Sequence, residues 1–186
     1  MPQPEIHIGT AGWSIPARYA AAFDAGGSLI ERYGTRLGCA EINTSFYRPH
    51  KRETYARWAA SVPENFRFSV KVPKTITHEA RLVDAKDGVV TFLAGVEGLG
   101  EKLGVLLVQL PPNLAFDVRQ AGAFFRMLRK LTPVAVAIEP RHGSWFAPAV
   151  EDVLQDHCIA RVAADPPRAE GGDRPGNVEQ LEAVER

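Results

Sequence analysis

The 186 residues suffice for one domain with a sizeable core: 45% are hydrophobic and 24% charged, ordinary values for a globular chain. Lysine plus arginine and aspartate plus glutamate both number 22, so the formal net charge is zero. That balance argues against an extensive nucleic-acid surface or attachment to an anionic membrane, and leaves room for a small local anion site.

The first nine residues lack a basic start followed by an apolar stretch, and no uncharged apolar run approaches the ~18 residues of a membrane helix. A cytoplasmic location is therefore expected. Cys39 and Cys158 fit no CxxC pattern and read as core thiols in a reducing compartment rather than as a disulfide.

In chain order, residues 5–9 form the first expected strand. A helix over residues 28–37 carries Leu29, Ile30, Tyr33 and Leu37 at helical spacing. A strand at 39–43 and a helix at 54–60 with Tyr55, Trp58 and Ala59 come next. The strand at 66–72 leads to a helix at 89–103 built on Val90, Leu93, Val96 and Leu99. The strand at 104–110 leads to a helix at 121–131 with Phe124, Phe125, Leu128 and Leu131. The strand at 134–139, a helix at 147–156 with Val150, Val153 and Leu154, and a strand at 159–164 complete the series. Residues 166–186 change character. They are polar, rich in Pro, Gly, Arg, Asp and Glu, and read as a flexible tail after a domain of residues 1–165.

Most of these strands are near-continuous apolar runs, as a parallel sheet covered on both faces requires. Strand–helix alternation with a roughly 30-residue period gives an open doubly wound sheet or a closed barrel. The doubly wound reading would normally place a Gly-rich phosphate loop after the first strand, and the segment Gly9 to Trp13 is neither GxGxxG nor a Walker loop. Polar residues end every strand, which favours an α/β barrel of TIM type with its chemistry at the strand C-termini. About six of the eight βα units are expected here, so the barrel would be incomplete.

Alternation along a strand puts Glu41, Asn43 and Ser45 on one face, and Glu139 and Arg141 likewise, with Ile42 and Ile138 pointing to the helices. Together with Lys71 and Asp165 they would form a compact cluster of opposite charges. One reading is an acid–base and anion site. Glu139 and Glu41 are the catalytic candidates, Arg141 and Lys71 hold an anion, and Asn43 and Gln109 position the substrate. The other reading is a structural ion-pair network closing the sheet end. Trp13, Tyr47, Trp145 and His142, with Phe46 and Phe146, supply aromatic and hydrogen-bonding surfaces suited to a sugar ring or nucleobase, or simply to packing of the rim. The sequence requires no cofactor. Glu41, His78, Glu139, His142 and Asp165 are chemically able to ligate a divalent metal, but no HxH or HExxH spacing supports it. His50 sits in a basic loop that reads as solvated surface.

The run from Ile8 to Trp13, the run from Glu41 to Tyr47, the run from Phe66 to Pro73 with Thr77-His78, the run from Leu107 to Pro112, and the run from Glu139 to Trp145, in this order, resemble the domain-of-unknown-function 72, or YecE-like, family. The resemblance implies a TIM-type barrel and little about activity. It also implies a seventh strand with an Arg-x-His-Gly-like segment and then an eighth, and neither is found here. The chain is therefore expected to be truncated, since a full barrel takes ~250 residues. Open barrel edges would invite self-association.

The expected function is acid–base, hydrolase-like chemistry on a small polar or anionic, sugar- or nucleotide-like molecule. Two alternatives stand beside it: a small-molecule-binding module without catalysis, and a truncated family member without function.

Overall fold

The structure, a computed structural model, describes residues 6–165. Six parallel strands form one sheet in the order β1-β2-β3-β4-β5-β6, with β1 and β6 at its edges. They are β1 (Gly9–Ala11), β2 (Cys39–Ile42), β3 (Arg67–Lys71), β4 (Leu103–Gln109), β5 (Ala135–Glu139) and β6 (Ile159–Arg161). Five α-helices connect them: α1 (Leu29–Gly34), α2 (Arg52–Ala60), α3 (Lys86–Val96), α4 (Val118–Leu131) and α5 (Pro148–Asp156). The α/β alternation expected from sequence is present.

Local signals explain the helix starts. Ser28 and Glu31 form a reciprocal capping box on α1, with Glu31 Oε2 accepting from Ser28 N at 2.5 Å. Those bonds hold the Glu31 carboxyl below its ordinary range. Asp117 Oδ1 accepts from Gln120 N at 2.8 Å to cap α4, and α5 begins on Pro148, whose missing N–H costs nothing at that position.

One face of the sheet carries the core. Ile42, Phe68, Val70, Leu106, Val108, Val136, Ile138 and Ile159 are all essentially inaccessible and pack among helix residues such as Tyr55, Phe92, Phe124, Phe125 and Leu154. Each such side chain contributes roughly 1.5–3 kcal/mol by leaving water. The residues of opposite parity, among them Glu41, Ser69, Val105, Ala137 and Glu139, are only half-buried. The helices thus cover a single face, and the other lines a cavity.

Several elements differ from their expected bounds by a few residues, and two depart furthest. The first strand lies at Gly9–Ala11 rather than over residues 5–9; residue 5 lies outside the described residues, and Ile6 and Ile8 are 84% and 70% exposed. Pairing decides this, because β1 has a neighbour on one side only and its register with β2 begins at Gly9↔Cys39. A Cβ on Gly9 would come within 1.9 Å of Cys39 O, so only glycine permits that approach. The helix expected over 89–103 begins earlier, at Lys86, and breaks into α3 and a turn over Glu97–Lys102, where Gly100 takes φ 54° and ψ −137°. The expected tail, residues 166–186, lies outside the described residues.

Arg129 fastens the N-terminal ends of β5 and β6. Its guanidinium donates to the carbonyls of Val134 (2.6 Å), His157 (3.0 Å) and Cys158 (3.1 Å). Cys39 and Cys158 are free, half-buried thiols, and burial pushes the Cys39 thiol up.

Candidate functional site at the strand C-termini

Register brings the polar strand ends together. Gln109 and Glu139 are paired at the last positions of β4 and β5, and Gln109 Nε2 donates to Glu139 Oε2 at 2.6 Å. Arg141 follows two residues later on the same face, its Nη2 3.4 Å from Glu139 Oε1. Glu41 pairs in register with Ser69 on β3, two residues before Lys71. These faces line an open cavity of about 470 Å³. Glu41, Ser69, Glu139, Arg141 and Asp165 supply its polar lining, and Val105, Leu107, Ala137, Val162 and Ala164 its apolar floor.

The electrostatics centre on Glu41. Burial pushes its carboxyl above the ordinary range; the Lys71 charge opposes the rise and the Glu139 charge adds to it. Lys71 is 9% exposed, and its Nζ lies 5.1 Å from the centroid of the Phe46 ring, a cation–π arrangement. Ser45, expected beside Glu41 and Asn43, is fully buried. Its Oγ lies 2.7 Å from Ile42 O and 2.6 Å from Lys71 O. One hydroxyl proton serves the two carbonyls in turn, so Ser45 ties the end of β2 to the end of β3 and carries Phe46 toward Lys71.

The other sequence candidates divide. Asp165 lines the cavity and is exposed. Tyr47 is 72% exposed and meets Phe46 edge-on at 5.1 Å. Asn43 is half-buried at the start of the turn over Thr44–Phe46. His142 is turned to Ser144, its Nδ1 2.9 Å from Ser144 Oγ. Trp13 packs edge-on against Trp58 and Phe68 and is not part of the cavity lining. Trp145, expected on the rim, is buried; its Nε1 donates to Leu114 O at 2.9 Å and its ring packs on Phe116. Its surroundings are those of a core residue.

His78, a candidate metal ligand in the sequence, stands beside Phe46. A π-helical turn over Thr75–Glu79 places its ring 4.9 Å from the Phe46 centroid, with Nδ1 2.8 Å from Thr77 Oγ1. Burial and the Arg141, Lys71 and Lys74 charges hold His78 below its ordinary value. The sequence offers His78 as a possible metal ligand, with no spacing that places it against Phe46. The extra residue of a π-turn has no periodicity to read, though such turns are frequent at functional sites. Among the described residues, no three His, Cys, Asp or Glu side chains group as a metal site.

The family model described as "Protein of unknown function DUF72" matches residues 7–186. The chain belongs to the DUF72 family. It is 32% identical to the YecE protein of Escherichia coli K12 over 148 residues, covering 79% of this chain and 52% of that one. It is 26% identical to the YunF protein of Bacillus subtilis 168, covering 77% and 53%. The DUF72 chain thus spans about half the length of these curated relatives. A DUF72 protein of Enterococcus faecalis V583 superposes with a TM-score of 0.71 at 24% identity, over 86% of this chain and 60% of that one. One from Thermotoga maritima MSB8 gives 0.67 at 25%, over 84% and 64%. Among the described residues, no helix is long and apolar enough to cross a membrane.

Proposed function

We propose that the chain is the larger part of a TIM-type (β/α) barrel whose open end is an acid–base site for a small anionic, sugar- or nucleotide-like molecule. Sequential strand order and helices on a single face support the barrel reading, since a doubly wound sheet reverses order and is covered on both faces. Two half-buried free thiols suit a reducing cytoplasm.

The observation that carries the chemistry is two carboxyls from different strands facing one cavity in unlike surroundings. Glu41, whose burial favours its protonated form, is the proton donor. Glu139, which accepts from Gln109 and Arg141, is the proton acceptor. In a hydrolytic step Glu139 takes a proton from water as the oxygen attacks, and Glu41 gives its proton to the departing oxygen. Arg141, which lines the cavity, and Lys71, outside the lining but within electrostatic reach of Glu41, hold the anionic end of the substrate; Asp165 lines the cavity, Tyr47 stands outside the lining, and Gln109, also outside it, fixes the Glu139 carboxylate.

The test is incubation of the chain with a panel of small sugar and nucleotide anions, followed by mass spectrometry, in parallel with Glu139→Gln. A compound consumed by the wild type and spared by the variant supports the proposal. A compound that raises the melting temperature but is returned unchanged by the wild type assigns the site to binding alone.

A further inference from the structure

We propose that the anion received at this site is a phosphoryl group, held between Lys71, His78 and Arg141 with the Phe46 ring as its wall. This rests on the reading of the cavity as a substrate site and adds the chemical class of the ligand.

Lys71 carries the argument. It is nine-tenths buried, yet among the described residues its Nζ makes no ion pair and no hydrogen bond. Its ammonium lies over the Phe46 ring, and the Glu41 charge acts on it with no salt bridge between the two among the described residues. Its stem is buried while its ammonium has no carboxylate in contact among the described residues, which leaves that charge able to take up an anion.

Two further groups have unused donors: His78 shares the Phe46 ring with Lys71, and Arg141 lines the cavity with Glu41 and acts electrostatically on His78. His78 stands against the same Phe46 ring at 4.9 Å; its Nδ1 is engaged with Thr77, and its Nε2 has no hydrogen-bond partner among the described residues. Arg141 has a buried Nε with no hydrogen-bond partner, and its Nη2 reaches Glu139 at only 3.4 Å, a long bond. Lys74, the remaining nearby cation, is occupied with Glu79 at 3.0 Å.

The composition of this set points to phosphate over carboxylate. Three donor groups on three segments match the three terminal oxygens of a phosphomonoester, whereas a carboxylate offers two. The groups facing His78 are Lys71 from β3, Arg141 from beyond β5, Lys74 on its own turn, and the uncharged Phe46 and Thr77. Burial and the three cations disfavour imidazolium, and a dianion between them opposes both, so binding draws a proton onto His78.

The test uses inorganic phosphate, with acetate as the carboxylate probe, titrated into the chain by calorimetry at constant ionic strength near neutral pH. Expected are saturable one-to-one binding of phosphate, binding of acetate about tenfold weaker or less, and loss of about tenfold or more in phosphate affinity for Lys71→Met and His78→Gln. His78→Gln lies on a partly exposed turn and keeps the test decisive if Lys71→Met fails to fold. No saturable phosphate binding, equal affinity for acetate, or a wild-type affinity in His78→Gln would overturn the proposal. The catalytic reading fails separately: phosphate bound as described with no phosphate ester turned over sinks only that reading. Turnover of an unphosphorylated compound without phosphate binding sinks only this one.

Discussion

Gln109 and Glu139 are register partners at the ends of adjacent parallel strands, joined side chain to side chain at 2.6 Å. The amide donates and the carboxylate accepts in a half-buried place, so the bond both orients Glu139 and offsets part of its desolvation. Gln109→Leu removes the donor but keeps the bulk. A loss of about 1–3 kcal/mol in urea-induced unfolding is expected, because the carboxylate keeps its burial and loses its partner.

Glu41 gives a pH signature. Its carboxyl is raised above the ordinary 4.5 in the folded chain. Below about pH 4.5 both folded and unfolded chains carry it protonated and the full stability is present. As pH rises through 4.5 toward the raised folded value, the unfolded chain ionises more readily and stability is lost. Glu41→Gln escapes that loss, so its melting temperature should exceed the wild type's at pH 7, with the gap closing near pH 4. A constant gap across that range would show that burial of the charge is not its origin.

Much of this arrangement is legible in the sequence because strand parity is strict. Once Ile42 and Ile138 are assigned to the helix-covered face, Glu41 and Glu139 must share the other, and that is where they lie. What the sequence conceals depends on partners distant along the chain. The sequence Ile-His-Ile before Gly9 has strand character, yet only the register with β2 decides where β1 begins. Trp145 follows a strand end as a ligand-binding aromatic would, but Leu114 and Phe116, some thirty residues earlier, take it into the core. His78 reaches the site through a π-turn whose extra residue leaves no periodic trace.

Arg129 should be structural. Arg129→Ala leaves the carbonyls of Val134, His157 and Cys158 without their donor and should cost roughly 2–3 kcal/mol of unfolding free energy. Arg129→Lys should recover only part of it, because one ammonium cannot reproduce the planar fork. Phosphate affinity, measured where both variants are folded, should be unchanged.

Arg161 faces away from the cavity, only 8% of its side chain is exposed, and it pairs with Glu151 of α5. Glu151→Ala strands that guanidinium and should destabilise by about 3–5 kcal/mol, whereas replacing both residues with leucine should restore most of the loss. Chemical denaturation of the two variants separates an uncompensated charge from lost packing.

Carbon-detected NMR titration of the Glu41 carboxyl puts the convergence of β2, β3 and β5 to the test without any ligand. The account predicts a midpoint above 4.5 in the wild type, higher still in Lys71→Met and lower in Glu139→Gln. A midpoint at or below 4.5 that neither substitution moves would mean that these side chains do not meet, and the site described here would not exist.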